Sequence, residues 1–525
     1  MQQHDLLLRH DVEQLRTVRR LGGAAALWAV LALAARAAAA QCPDGTPAPC
    51  GPRAVRAAPT GVAVLYFDNL STDSSDAYLA EGITQEIIAR LGDVSRLVVK
   101  SRYAVRPYRG ATTLDPAGIG RALGVAYLVT GSVQRAGRRL LVGAELSRAS
   151  TGDRVWGQEY ERGDGDIIAI MADIASHVVA GVAGSLLPAE RRALASRPTE
   201  SRAAYDQLLR GDVLLAQRTP VSVRGAIAAY AAATALDPAL ADAWARMSVA
   251  YGILVQRGWT PDGRPADDSL RERSIAAADR ALALDSSNSD AWMAEAYART
   301  ERDPLGWEGA EAGYRRAVAL NPRNAEAWHQ LGDLLGAMGR RVEALDAWRA
   351  AVRAEPGRPV SMLSLASTLA PREALAVCDS VLAVDPQSVN AYMIRALDRL
   401  AAGDTTGARS DLAGLERVVP LGAELGSRAL AARLVLALGD TADARRRARE
   451  LESGLPVAGP IHPQLAAMLA AVLYLAGERD EAFALLSRAP PGVAVWQNRG
   501  GAPWLADARF RRVFDESRPA WASAP

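Results

Sequence analysis

The sequence predicts an α+β amino-terminal domain, a mixed sheet with helices packed on it, followed by a long all-α solenoid. Three observations carry that expectation. Between residues 61 and 190, apolar strand patterns alternate with amphipathic helical ones. From about residue 200 to 490 the pattern is helical and resembles itself at a spacing of about 34 residues. Alanine, the best helix former, is used heavily throughout. The 525 residues are too many for one compact core, so several packing units are expected. Sixty-one basic side chains stand against 59 acidic ones, a net charge of +2, which argues against a general nucleic-acid binder. With 50% hydrophobic and 23% charged residues, wholesale disorder is excluded. The basic residues are arginines apart from Lys100.

Residues 1–40 read as an export signal. Arg16, Arg19 and Arg20 precede an apolar run from Leu21 to Ala35, and Ala38-Ala39-Ala40 supplies small residues before Gln41. As a helix the run spans about 22 Å, short of the roughly 30 Å hydrocarbon core. Cleavage between Ala40 and Gln41 is expected, with an uncleaved membrane anchor as the alternative. Residues 41–60 form a linker. Within it, Cys42 and Cys50 flank a Pro-Asp-Gly turn, so a small disulfide loop is expected in an oxidising compartment. A zinc site would need more ligands than two cysteines.

Residues 61–190 carry the sheet. Gly61 to Phe67 is a buried strand, and Tyr78 to Leu91 is a helix with Leu79, Ile83, Ile87 and Leu91 on one face. Leu97 to Val99 is a second strand. Asp115-Pro116 starts a helix that Gly124 stops. Val125–Arg135 and Leu140–Arg148 form a hairpin through Gly137. Arg154–Tyr160 adds a strand, and Ile167–Leu187 a long amphipathic helix. In order, the strings VAVLYFDNLS, AYLAEGITQEIIARL, IGRALGVAYLVTGSVQRAG and TGDRVWGQEYER resemble the TolB-amino-terminal or FlgO-like domain. Members of that family often form the C-terminal half of adenylate cyclases, winged-helix regulators or serine/threonine kinases. Here only the export signal precedes the domain, so the resemblance carries no cyclase or kinase activity over.

The remainder, residues 200–490, resembles a tetratricopeptide solenoid. The clearest copy runs from about Ala325 to Pro356, with Trp328, Leu331, Gly332, Leu335, Ala344, Trp348, Ala351 and Pro356 at the eight signature positions. Small residues let paired helices approach, large ones fill the space beside them, and the proline ends the second helix. One copy cannot bury its apolar face alone, so stacked neighbours are required. Partial copies place Tyr205, Leu208, Ala226, Tyr230, Ala233 and Pro238 in a first repeat. Trp244 opens a second, which carries an insertion from Gly252 to Arg271, and Trp292 opens a third. The fifth is degenerate, with Cys378 where others have Tyr or Trp. Tyr392, Ala444 and Leu469 mark a sixth, seventh and eighth. Residues 491–525, with Trp504 and Phe510, read as a capping segment.

Chemistry is sparse. None of His4, His10, His177, His329 and His462 has a metal-like partner at helical spacing, and no P-loop or nucleophile elbow occurs. Gly118, Gly120 and Gly124 fail the dinucleotide spacing, and Glu81 and Glu86 lie on different faces of one helix. No catalytic, cofactor or metal residue is therefore expected. The expectation is a non-catalytic, exported scaffold that binds protein or peptide partners through the concave face of the repeats and binds no nucleic acid. It would lie in the periplasm or be secreted. The alternative is a membrane-anchored regulatory subunit that acts on a separate enzyme.

Overall fold

The computed structural model describes residues 58–73, 76–111, 115–137, 139–163, 167–257, 259, 268–302, 307–419, 425–491, 495 and 503–519. Ala40, Gln41, Cys42 and Cys50 lie outside the described residues.

The chain folds as an α+β domain followed by an all-α stack. The sheet contains β1 (Ala58–Val64), β2 (Asp68–Asn69), β3 (Val98–Val99), β4 (Val125–Ala136), β5 (Arg139–Arg148) and β6 (Arg154–Gly163). Its order is β3-β1-β4-β5-β6, with β2 also paired to β4. Pairings among β1 to β4 are parallel, and those of β4 with β5 and of β5 with β6 are antiparallel. The parallel pairs require crossovers, supplied by helix α1 (Ala77–Gly92) and by the short helices α2 (Arg102–Val105) and α3 (Pro116–Leu123). Asp115 stands at the cap position of α3, but its side chain makes no cap hydrogen bond; Gly124 ends the helix.

Helix α4 (Ile167–Ala183) covers the antiparallel half of the sheet. It stops four residues before Leu187, where the sequence placed its end. Pro188 forces Leu187 into extended backbone (ψ 151°) and opens a separate helix, α5 (Pro188–Leu194). The first strand is likewise displaced: β1 leaves the ladder after Val64, although the Leu65 N–H still donates to the Val129 carbonyl at 2.9 Å.

Eight helical pairs follow among the described residues. They are α6 (Arg202–Ala216) with α7 (Pro220–Leu236), α8 (Ala241–Arg257) with α9 (Asp268–Leu284), and α10 (Ser289–Arg302) with α11 (Glu308–Leu320). Next come α12 (Ala325–Ala337) with α13 (Arg341–Ala354), α14 (Pro359–Ala366) with α15 (Pro371–Val384), and α16 (Val389–Ala401) with α17 (Thr405–Val418). The last are α18 (Leu425–Ala437) with α19 (Thr441–Ser453), and α20 (Pro463–Leu475) with α21 (Arg479–Leu486). The insertion in the second pair is shorter than the sequence suggested, because α8 runs through Gly252 to Arg257. Trp259, beyond it, tucks onto the stack: its N–H donates to the Leu254 carbonyl, and Arg224 donates to its own carbonyl at 2.8 Å. At the far end, α22 (Ala508–Glu516) buries Phe510 and Phe514 with Trp504 against Tyr474. That closes the apolar end of the stack, as a cap must.

The fourth pair shows why the signature residues are what they are. Leu331, Leu335, Ala344, Trp348 and Ala351 are buried, and a Cβ on Gly332 would lie 2.5 Å from the Trp348 ring. Cys378 is fully buried, and burial pushes its thiol up to about 12, so it packs as a small apolar side chain. The stack also curls back on itself. His462, at the start of the eighth pair, lies beside the Val255 backbone and Arg271 of the second pair, and burial together with Arg271 pushes its ring down to about 4.

Replacing Gly332 with Ala is expected to destabilise the fold by roughly 1–3 kcal/mol, because a rigid indole must move; a urea titration measures it. His462 fixes a pH dependence. Its pKa is depressed, so folding binds fewer protons than unfolding, and stability is complete above 6.5 and lost as pH falls towards about 4. Between pH 7 and pH 5 the loss is on the order of 2 kcal/mol. The His462→Gln variant should show a correspondingly flatter pH dependence in urea unfolding; an unchanged slope contradicts the assignment.

Candidate functional site on the inner helices of the repeats

Successive first helices touch one another: α8 against α10, α10 against α12, and α16 against α18. The first helices therefore line the inside of the curve. Their inner residues form a polar ladder. The Tyr230 hydroxyl donates to Asp212 at 2.8 Å, Asp212 pairs with Arg246, and Arg246 lies 4.0 Å from Asp290. Asn324 donates to Asp290 at 2.7 Å. Burial lifts Asp212 and Asp290 above the usual carboxylate range, even though Arg246 works against it. Arg246 itself is held well above its ordinary value: its carboxylate neighbours outweigh the cost of its burial.

Two devices recur at the junctions of the second, third and fourth repeats. Asn288 and Asn324 cap their own helices, their Oδ1 atoms accepting from Ala291 and Ala327, while their Nδ2 groups donate back to Asp242 and Asp290 of the preceding repeat. Only an amide can accept and donate in this way, which is why asparagine rather than aspartate stands there. The second device is the signature tryptophan. The indole N–H groups of Trp244, Trp292 and Trp328 donate to the carbonyls of Pro238, Ser286 and Pro322, each six residues earlier in the preceding turn, at 3.1, 2.9 and 2.9 Å. Trp328 is legible in the sequence as a signature residue; its acceptor is not. The Asn–Asp ladder escapes the sequence reading too, although the recurrence of Asn four residues before Trp292 and Trp328 is a signal that could have found it.

Below the ladder lies a denser cluster. Glu326 pairs with Arg358 and, at 3.0 Å, with Arg218 from the first repeat. Burial works to raise Glu326, but Arg358 and Arg218 outweigh it and hold the carboxyl well below its ordinary value. Arg218 keeps a left-handed backbone (φ 53°), a strain of roughly 1–2 kcal/mol. His329, for which the sequence reading found no partner at helical spacing, is buried 3.4 Å from Asp333, four residues on; burial lowers its pKa, with Asp333 opposing and Arg358 adding to the shift. The Trp348 indole N–H also donates to Asp333, at 2.9 Å. His177 instead stacks on Trp156 in the sheet domain, with centroids 4.8 Å apart. Glu81 and Glu86 have separate partners, Arg109 at 2.9 Å and Arg90 at 2.7 Å. Gly120 packs against Ala149, as a helix contact rather than a phosphate loop would.

The inner face thus supplies paired charges, amide donors and indole edges along a curved surface. Among the described residues no group of three or more His, Cys, Asp or Glu side chains is placed to hold a metal, and no helix is long and apolar enough to cross a membrane.

Parts of the chain are similar to known proteins. A 217-residue stretch, 41% of the chain, is 33% identical to a protein of Rhizobium meliloti (strain 1021) named "Putative adenylate cyclase 3", and it spans 37% of that relative's length. Among solved structures the chain is similar to pilF of Pseudomonas aeruginosa, at 23% identity and a TM-score of 0.32, covering 42% of this chain and 94% of that one. It is similar to a tetratricopeptide repeat protein from Parabacteroides merdae, at 16% identity and a TM-score of 0.31, covering 53% and 99%. It is also similar to PilW, described as a type IV pilus biogenesis factor, at 20% identity and a TM-score of 0.31, covering 41% and 94%. Residues 314–346, from Tyr314 in α11 into the start of α13, match the tetratricopeptide repeat family model.

Proposed function

We propose that the chain is a non-catalytic scaffold, exported from the cytoplasm, that binds protein or peptide partners along the inner helices of its repeats. The observation that carries this reading is the curved inner face itself, lined by Arg246, Asp290, Asn324 and Glu326 at successive junctions. Extended concave surfaces of this kind recognise partner chains. The sheet domain, which resembles the TolB-amino-terminal or FlgO-like family, serves as a second recognition or assembly module. The leader supports export, with cleavage between Ala40 and Gln41.

A second reading has its own support. The relative named as an adenylate cyclase, together with the signalling enzymes in which such sheet domains occur, favours a regulatory subunit anchored by an uncleaved leader and acting on a separate enzyme. N-terminal sequencing of the protein from its host separates the two: a chain beginning at Gln41 supports the exported scaffold, and one retaining the leader supports the anchored regulator. Cross-linking mass spectrometry in envelope extracts tests the scaffold itself. Cross-links from a partner should fall on α8, α10 and α12 and on the later first helices. Cross-links confined to the outer helices, or cyclic-nucleotide synthesis by the purified chain, would overturn the reading.

A further inference from the structure

The apolar core of the repeats is divided. One buried cluster runs from the sheet through α1 and α6 to Trp348 in the fourth repeat, and a separate one begins at Leu363 in the fifth. Polar contacts carry the seam: Glu326 to Arg358, and the Ser364 hydroxyl to Asp333 at 3.4 Å. Helix α14 at this seam has only eight residues.

The turn at the seam departs from its siblings residue by residue. Asp237, Asp285, Asn321 and Asp385 each accept the backbone N–H two residues on, closing a tight turn. The fifth-repeat turn has Glu355 instead. Where three siblings have tryptophan, this one has Met362, so no indole reaches the carbonyl of Pro356. That carbonyl accepts the Ser101 hydroxyl of the sheet domain instead. Glu355 lies 3.4 Å from Arg102, and Gly357 is left-handed (φ 84°) with its open side towards Tyr103, whose Cβ would stand 3.2 Å from an added Cβ. Arg102 is held in turn by Gln85 on α1, at 3.0 Å.

We propose that the seam between the fourth and fifth repeats is a hinge, and that Ser101–Tyr103 is a strap by which the sheet domain holds it closed. The sheet domain is anchored at the first repeat by α1 on α6 and grips the chain again 255 residues on from Ser101, so it braces the arc between the two points. The Ser101→Ala/Arg102→Ala double variant releases the strap without touching any repeat residue. Hydrogen–deuterium exchange of residues 355–366 should then accelerate roughly ten-fold, the factor that about 1.4 kcal/mol represents. Protection of α1 and α6 should be kept, and the radius of gyration in small-angle scattering should grow. Arg139→Ala, which breaks the exposed pair with Glu161 elsewhere on the sheet, should leave the seam as it was. Unchanged exchange at 355–366 in the folded double variant would overturn the proposal, as would acceleration spread evenly over all segments.

Discussion

The packing of α1 between the sheet and the first repeat is the constraint on which the rest of the molecule depends. Leu79, Ile83, Ile87 and Leu91 face the sheet core, while Gly82 lets Leu209 of α6 come within 3.5 Å of where its side chain would be. Polar contacts fix the register: the Tyr78 hydroxyl donates to Asp206 at 2.7 Å, and Arg135 binds both Asp76 and Asp206. Buried Arg90 donates to the Leu194 carbonyl at 2.7 Å and so ties the linking segment to the same helix. Since a solenoid repeat cannot bury its face alone, the sheet domain does at one end what α22 does at the other.

From that anchor the stack propagates by a small vocabulary. An asparagine caps forward and donates backward, an indole closes the preceding turn, and a small residue admits the ring of the partner helix. Each link is local, so each junction is nearly independent of its neighbours. Curvature needs longer ties, and the structure supplies them: Arg218 to Glu326, Ser101 to Pro356, and His462 to Val255. These act where the local vocabulary is interrupted or where the stack closes on itself.

The distinction between local and long ties explains what is legible in the sequence. Apolar spacing and turn residues are local, so the strands, the helices and the Gly332–Trp348 pair can be read from the residues alone. Gly124 stops its helix as expected, while α4 ends earlier than the apolar run implies, because Gly184 turns left-handed (φ 81°) after Ala183 and Pro188 then opens a new helix. The inner ladder is half legible, through the tryptophans but not their acceptors. The Arg218–Glu326 and Ser101–Pro356 contacts are illegible, because no spacing rule links residues more than a hundred positions apart. The degenerate fifth repeat is visible only as a loss of signature; its altered turn has a cause in the sheet domain it touches.

The central claim is that the sheet domain and the first four repeats share one core and fold as one unit. Native-state hydrogen exchange across a urea series measures this directly, because segments of one cooperative unit open with the same free energy and the same denaturant slope. Slow amides of β4, α1, α6 and α12 should merge into a single isotherm, with those of α18 and α20 on another. A sheet domain that opens on its own isotherm, apart from α6 and α12, would contradict the account.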